Sequence, residues 1–117
     1  MIRFRLLLLV LVFAGGCSQR SDNDPAEPAR ELLAGQGAYE RVCATCHEEG
    51  LDGAPATGDR EAWANRSSLW AAVLEEHANS GYLSMPAKGG DPSLSDEEIS
   101  AATEHMLALT YPDRPTE

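Results

Sequence analysis

The chain predicts a small all-α domain, and three observations carry that expectation. Several stretches place apolar residues at helical spacing, the segments between them are rich in glycine and proline, and strand signals are almost absent. The sequence has 117 residues and no internal repeat, so a single domain over 31–112 accounts for it, with 113–117 as a short flexible tail.

The first predicted helix begins near Glu31, where Leu32, Leu33, Gln36 and Tyr39 start a stripe that runs into Cys43. A second is expected from an N-cap at Ser67 or Ser68, with Leu69, Ala72 and Val73 recurring at i, i+3, i+4 and Gly81 at its end. Ser95 and Glu98 have the spacing of a capping box, in which each satisfies a free backbone N–H of the other. The helix they open carries Ile99, Ala102, Met106 and Leu109 along one face. Tyr111-Pro112 closes it, because proline disfavours helical backbone in the residue before it. The segments 50–58 and 82–92 read as loops.

Cys43-Ala-Thr-Cys46-His47 is the motif with chemistry in it. Two thiols about one helical turn apart emerge on one face, within reach of the two vinyl groups of one porphyrin. The adjacent imidazole of His47 is then placed to bind iron from below. A thioredoxin-like redox pair is an alternative, but no strand–helix alternation surrounds the motif. A zinc site is another; it needs four ligands, and no second cysteine pair accompanies this one.

Both ends of the leader are informative. Arg3 and Arg5 precede an apolar run over 6–13, too short to span a bilayer, and Ala14-Gly15-Gly16 follow it. Residues 1–16 therefore read as a signal peptide. Small residues directly before Cys17 resemble a lipobox, although Ala14 stands where an aliphatic residue is usual. Ordinary cleavage after Gly16 is the alternative, but with Cys43 and Cys46 taken by haem it strands Cys17 as a lone thiol in an oxidising compartment. Acylation at Cys17 removes that difficulty and makes a membrane-anchored periplasmic lipoprotein. Ser18 at the next position leans toward the outer membrane. The polar stretch 18–30, with Pro25 and Pro28, reads as a disordered tether. As a flexible coil it would reach on the order of 20 Å.

A domain this small has little apolar bulk of its own, and a covalent haem would complete its core. The sixth iron ligand is then open. Met85, in a loop stiffened by Pro86, is the best candidate, with core filler as the alternative reading. Met106 is a weaker one on an apolar helix face. His77 and His105 sit among charged residues and read as surface or edge positions.

The order Gly35-x-x-x-Tyr39-x-x-x-Cys43-x-x-Cys46-His47, Gly53-Ala-Pro55-x-x-Gly58-Asp59-x-x-x-Trp63-x-x-Arg66, Met85-Pro86-x-Lys88-Gly89-Gly90 and Leu94-Ser95-Asp96-Glu97-Glu98-Ile99 resembles the bacterial cytochrome c5 group of class I c-type cytochromes. That resemblance implies a small cytochrome c fold of several helices wrapped around one covalent haem c, with His47 and Met85 as axial ligands. It implies a crossing of the first and last helices at Gly35 and Tyr39, and a Pro55 carbonyl that orients His47. It also places Trp63 and Arg66 near the haem propionates as donors. Two departures stand out: no extra cysteine follows the Lys88-Gly89-Gly90 turn, and His105 precedes Met106 where tyrosine is common.

With both axial positions filled, the implied activity is one-electron transfer rather than catalysis. A cytochrome subunit of a larger respiratory or dehydrogenase complex is the alternative, followed by a haem enzyme or gas sensor in which Met85 is displaced. The formal charge is −10, and losing Arg3 and Arg5 with the leader takes it to −12. That balance argues against nucleic acid as a partner and favours redox proteins with basic docking patches. A generically acidic, soluble surface explains the charge equally well.

Overall fold

The computed structural model describes residues 24–64, 66 and 71–115. The leader, Cys17, and the expected caps Ser67 and Ser68 with Leu69 lie outside the described residues. Among the described residues there are five α-helices and no strand; the one pairing is an isolated bridge between Tyr82 and Met85.

Helix α1 spans Glu27–Ala38, opening inside the stretch expected to be a tether. Pro28 lies in its first turn, where the absent N–H costs nothing. Asp24 braces the entry by accepting from the Ala26 backbone N–H and from Arg30, each at 3.0 Å. The chain runs on through a π-helical turn, Tyr39–Cys43, into the short helix α2, Ala44–His47. Such turns are uncommon and concentrate at functional sites. A further short helix, α3 (Arg60–Trp63), falls in a segment with no predicted helix; Asp59 caps it by accepting from Glu61 N and Ala62 N. Helix α4 is Ala71–Ser80, and α5 is Asp96–Thr110 with the full capping box of Ser95 and Glu98.

Helix α1 crosses α5 at Gly35, as expected, and the reason is distance. A Cβ at Gly35 would stand 2.2 Å from the carbonyl oxygen of Ala101. The buried face of α1 is therefore made of small residues, Gly35 and Ala38. This corrects the expected stripe: Leu32 and Leu33 are 64% and 69% exposed, because a crossing this close has no room for leucine. One turn on, Tyr39 packs its ring against His105 with centroids 5.3 Å apart. On α5, Ile99, Ala102 and Met106 are buried as the periodicity predicts, while Leu109 faces outward and Leu107 takes the interior.

The core joins Ala38 of α1 to Leu94, Ile99 and Ala102, with Tyr39, Val42, Cys43 and Ala78 packed around it. Arg60 Nε donates to the Thr110 carbonyl and Gly58 N to the Thr110 hydroxyl, fastening the start of α3 to the end of α5. The loop segments thus hang from a frame of α1, α4 and α5.

Candidate functional site: a haem cavity

A cavity of about 740 Å³ opens between α2, the 51–55 loop, α4, the 82–89 loop and α5. That volume lies within the range of about 300–1,000 Å³ typical of small-molecule and cofactor sites. Its walls are mainly apolar, and Cys43, Cys46, His47 and Met85 all face it.

His47 is buried, and its Nδ1 stands 2.9 Å from the carbonyl oxygen of Pro55. A carbonyl only accepts, so Nδ1 carries the proton and Nε2 is the basic nitrogen of the ring. The amide of Thr57 returns to the His47 carbonyl, so the 54–57 loop holds that residue by both backbone and side chain. The imidazole lies against the indole of Trp63, centroids 6.0 Å apart and planes at 21°.

Trp63 lines the cavity, as expected, but its indole N–H is already used: Nε1 donates to the Ala56 carbonyl at 2.8 Å. It braces the loop that orients His47 rather than offering a donor to a carboxylate. Arg66 also lines the cavity and donates to two carbonyls, Ala62 at 3.1 Å and Gly53 at 3.3 Å. Among the described residues, the other three guanidinium N–H groups have no partner.

Neither Cys43 nor Cys46 is in a disulfide. Burial pushes the Cys43 thiol above its usual range, against a smaller opposing effect from its own backbone amide and the nearby Arg41. Desolvation disfavours the thiolate, so Cys43 rests as a neutral thiol in the cavity wall. Among the described residues, no cluster of three or more His, Cys, Asp or Glu side chains is placed to hold a metal ion.

Met85 sits at the end of a tight turn closed by reciprocal backbone hydrogen bonds with Tyr82, 2.9 and 3.0 Å. Leu83 within that turn has φ of 53°, a left-handed conformation unusual for leucine. His77, expected at a surface or edge position, is half-buried at the edge of the cavity, where it stacks on Tyr82 with centroids 3.8 Å apart and joins the wall. Its place is hidden from sequence reasoning because the partner ring comes from the loop after α4. Met106 lines the cavity too, from the buried face of α5.

The family described as “Cytochrome C oxidase, cbb3-type, subunit III” matches residues 30–106. Cytochrome c-555 of Chlorobaculum tepidum is 39% identical over 83 residues, covering 68% of this chain and 77% of that protein. Cytochrome c5 of Azotobacter vinelandii is 35% identical over 78 residues, covering 65% of this chain and 94% of that one. The chain belongs to the cytochrome c family. A solved structure, “Crystal structure of electron transfer complex of nitrite reductase with cytochrome c”, contains a chain that superposes with a TM-score of 0.61 at 31% identity, over 66% of this chain and 94% of that one. The fold is thus the all-α cytochrome c fold. Membership brings one covalently bound haem c, and the spacing of Cys43 and Cys46 is that of its attachment. The residues present fit the group: a mainly apolar cavity of adequate volume, two thiols in its wall and an imidazole with its basic nitrogen free of the Pro55 bond. The activity is monohaem electron transfer.

Proposed function

We propose that this chain is a single-electron carrier with His47 and Met85 as axial ligands, anchored to a periplasmic membrane surface through acylated Cys17. The observation that carries the ligand assignment is the convergence of His47 and Met85, far apart in sequence, on one cavity that also holds both thiols.

A haem held by Cys43, Cys46, His47 and Met85 would supply a one-electron iron couple, and the chain's own residues would tune it. Pro55 fixes the tautomer and plane of His47. A thioether from Met85 would favour the reduced metal and raise the potential. Leu74, Ile99 and Leu107 in the cavity wall keep water away from the reacting centre. Arg66 would meet a propionate with N–H groups not spent on Ala62 and Gly53, whereas Trp63 supports the loop beside it.

The acidic balance favours basic patches on the redox partners and argues against nucleic acid and anionic headgroups. The solved neighbour comes from an electron transfer complex with nitrite reductase, which supports a redox protein as the partner class. No helix among the described residues is long and apolar enough to cross a membrane. The anchoring reading rests on the small residues before Cys17 and on the lone thiol that ordinary cleavage would leave, with a soluble periplasmic protein as the alternative. A second reading, a subunit of a larger oxidase or dehydrogenase, is favoured by the description of the matching family. Co-purification with such a complex would select it.

The test is a redox titration of the haem-loaded protein beside Met85→Ala. A one-electron wave that falls by about 100 mV or more, the scale of axial-ligand effects, supports the reading. An unchanged wave moves the ligand elsewhere.

A further inference from the structure

The loop that presents Met85 is held in an unfavourable backbone shape. Lys88, Gly89 and Gly90 follow one another with φ of 55°, 63° and 90°, all left-handed. Glycine adopts that region freely, whereas lysine does so against its Cβ. Gly89 has a further reason to lack a side chain, since a Cβ there would meet Val42 Cγ1 at 2.7 Å. At Lys88 the turn is supported by backbone hydrogen bonds, Gly89 N to the Pro86 carbonyl and Asp91 N to the Lys88 carbonyl, each at 3.1 Å, and the side chain adds a second support.

Its ammonium does so by donating to the Leu94 carbonyl at 2.7 Å and to Asp96 Oδ1 at 3.2 Å. Leu94 is core, 3% exposed, and Asp96 opens α5. Lys88 also lines the cavity. Lys88 therefore spans three things: the loop carrying Met85, the cavity, and the amino end of the helix that packs on α1 and α4. The side chain is 28% exposed against 79% for Asp96, so the bond to the Leu94 carbonyl is the better shielded of the two. A lysine held in this way is not a free docking charge.

We infer that Lys88 is a positioning residue whose ammonium, clamped on Leu94 and Asp96, holds the Met85 loop closed over the cavity. The inference rests on Met85 as the sixth ligand. Loss of the clamp leaves the left-handed turn with its backbone hydrogen bonds alone, so the loop would open more often and the sulfur would leave the iron more often. The rate at which an external ligand reaches reduced iron measures that opening directly.

The experiment compares carbon monoxide binding to the reduced, haem-loaded protein in wild type, Lys88→Met, Lys88→Arg, Asp96→Asn and Met85→Ala, with thermal melts of each. Lys88→Met keeps the stem and removes the donor. The clamp predicts carbon monoxide binding about tenfold or more faster in Lys88→Met, the size expected from losing a charge-assisted hydrogen bond. Lys88→Arg, which restores a cationic donor, returns toward wild type, and Asp96→Asn gives a smaller rise. Wild-type binding in Lys88→Met, or a lower melting point with no change in binding, overturns the clamp. Should Lys88→Met not mature, a wild-type rate in Asp96→Asn counts against it. If Met85→Ala binds carbon monoxide no faster than wild type, the ligand assignment fails first and takes the clamp with it.

Discussion

Pro55 lends its carbonyl oxygen to the Nδ1–H of His47 at 2.9 Å, across eight residues of chain. This bond converts a cavity-lining histidine into an oriented one. It is itself supported, because Trp63 holds the neighbouring Ala56 carbonyl and stacks on the same imidazole. The site is built outward from that loop.

Trp63→Phe tests what the indole N–H does. Phenylalanine retains most of the ring packing on His47 and leaves the Ala56 carbonyl without its donor. The expected cost is about 1–2 kcal/mol of stability, seen in a denaturant titration, with the reduction potential essentially unchanged. A shifted potential at unchanged stability would mean that the indole donates to the haem instead.

Gly35→Ala tests the helix crossing. The new methyl group meets the Ala101 backbone at 2.2 Å, and backbone cannot swing aside. Destabilisation of about 2 kcal/mol is expected, lowering Tm by about 10 °C. A wild-type melt would show that α1 and α5 are not so close.

Much of this frame is legible in the sequence, and the failures share a cause. The capping box of α5 is a local signal and appears as read, with Ser95 and Glu98 bonded both ways. Periodicity misplaces the face of α1 because it favours large apolar residues, whereas a crossing at Gly35 selects small ones. Leu109 is misplaced in the same way. The short helix α3 has a signal in Asp59, whose side chain caps it, but four residues carry too little periodicity to announce themselves. The motif around Cys43 and His47 is plain. The second use of Trp63 and the clamp of Lys88 depend on backbone carbonyls brought near by folding, which no side-chain pattern records.

Acid stability follows from Glu98. The Ser95 backbone N–H and then the Arg41 guanidinium hold its carboxyl below the usual range. Its folded pKa is depressed, so its contribution is full above the ordinary glutamate value of about 4.3 and fades as pH falls through the lower folded value. Glu98→Gln should lose stability at neutral pH and flatten the acid limb of a plot of Tm against pH. An acid limb as steep as that of wild type would show that Glu98 does not set it.

Cys17 carries the anchoring proposal. Cys17→Ser in cells that mature the full chain should move the protein from the membrane fraction to the soluble periplasm, with the haem spectrum unaltered. Equal distribution of the two forms would leave a soluble carrier.

A closed iron site has an optical signature that can be read on the haem-loaded protein. Ferric, reduced, and reduced carbon-monoxide-treated spectra of the wild type are sufficient. His47/Met85 ligation predicts low-spin spectra, a far-red sulfur-to-iron band in the ferric form that is absent from Met85→Ala, and little change on adding carbon monoxide. High-spin features or immediate carbon monoxide binding by the wild type would contradict it and make an enzyme or gas sensor the better reading.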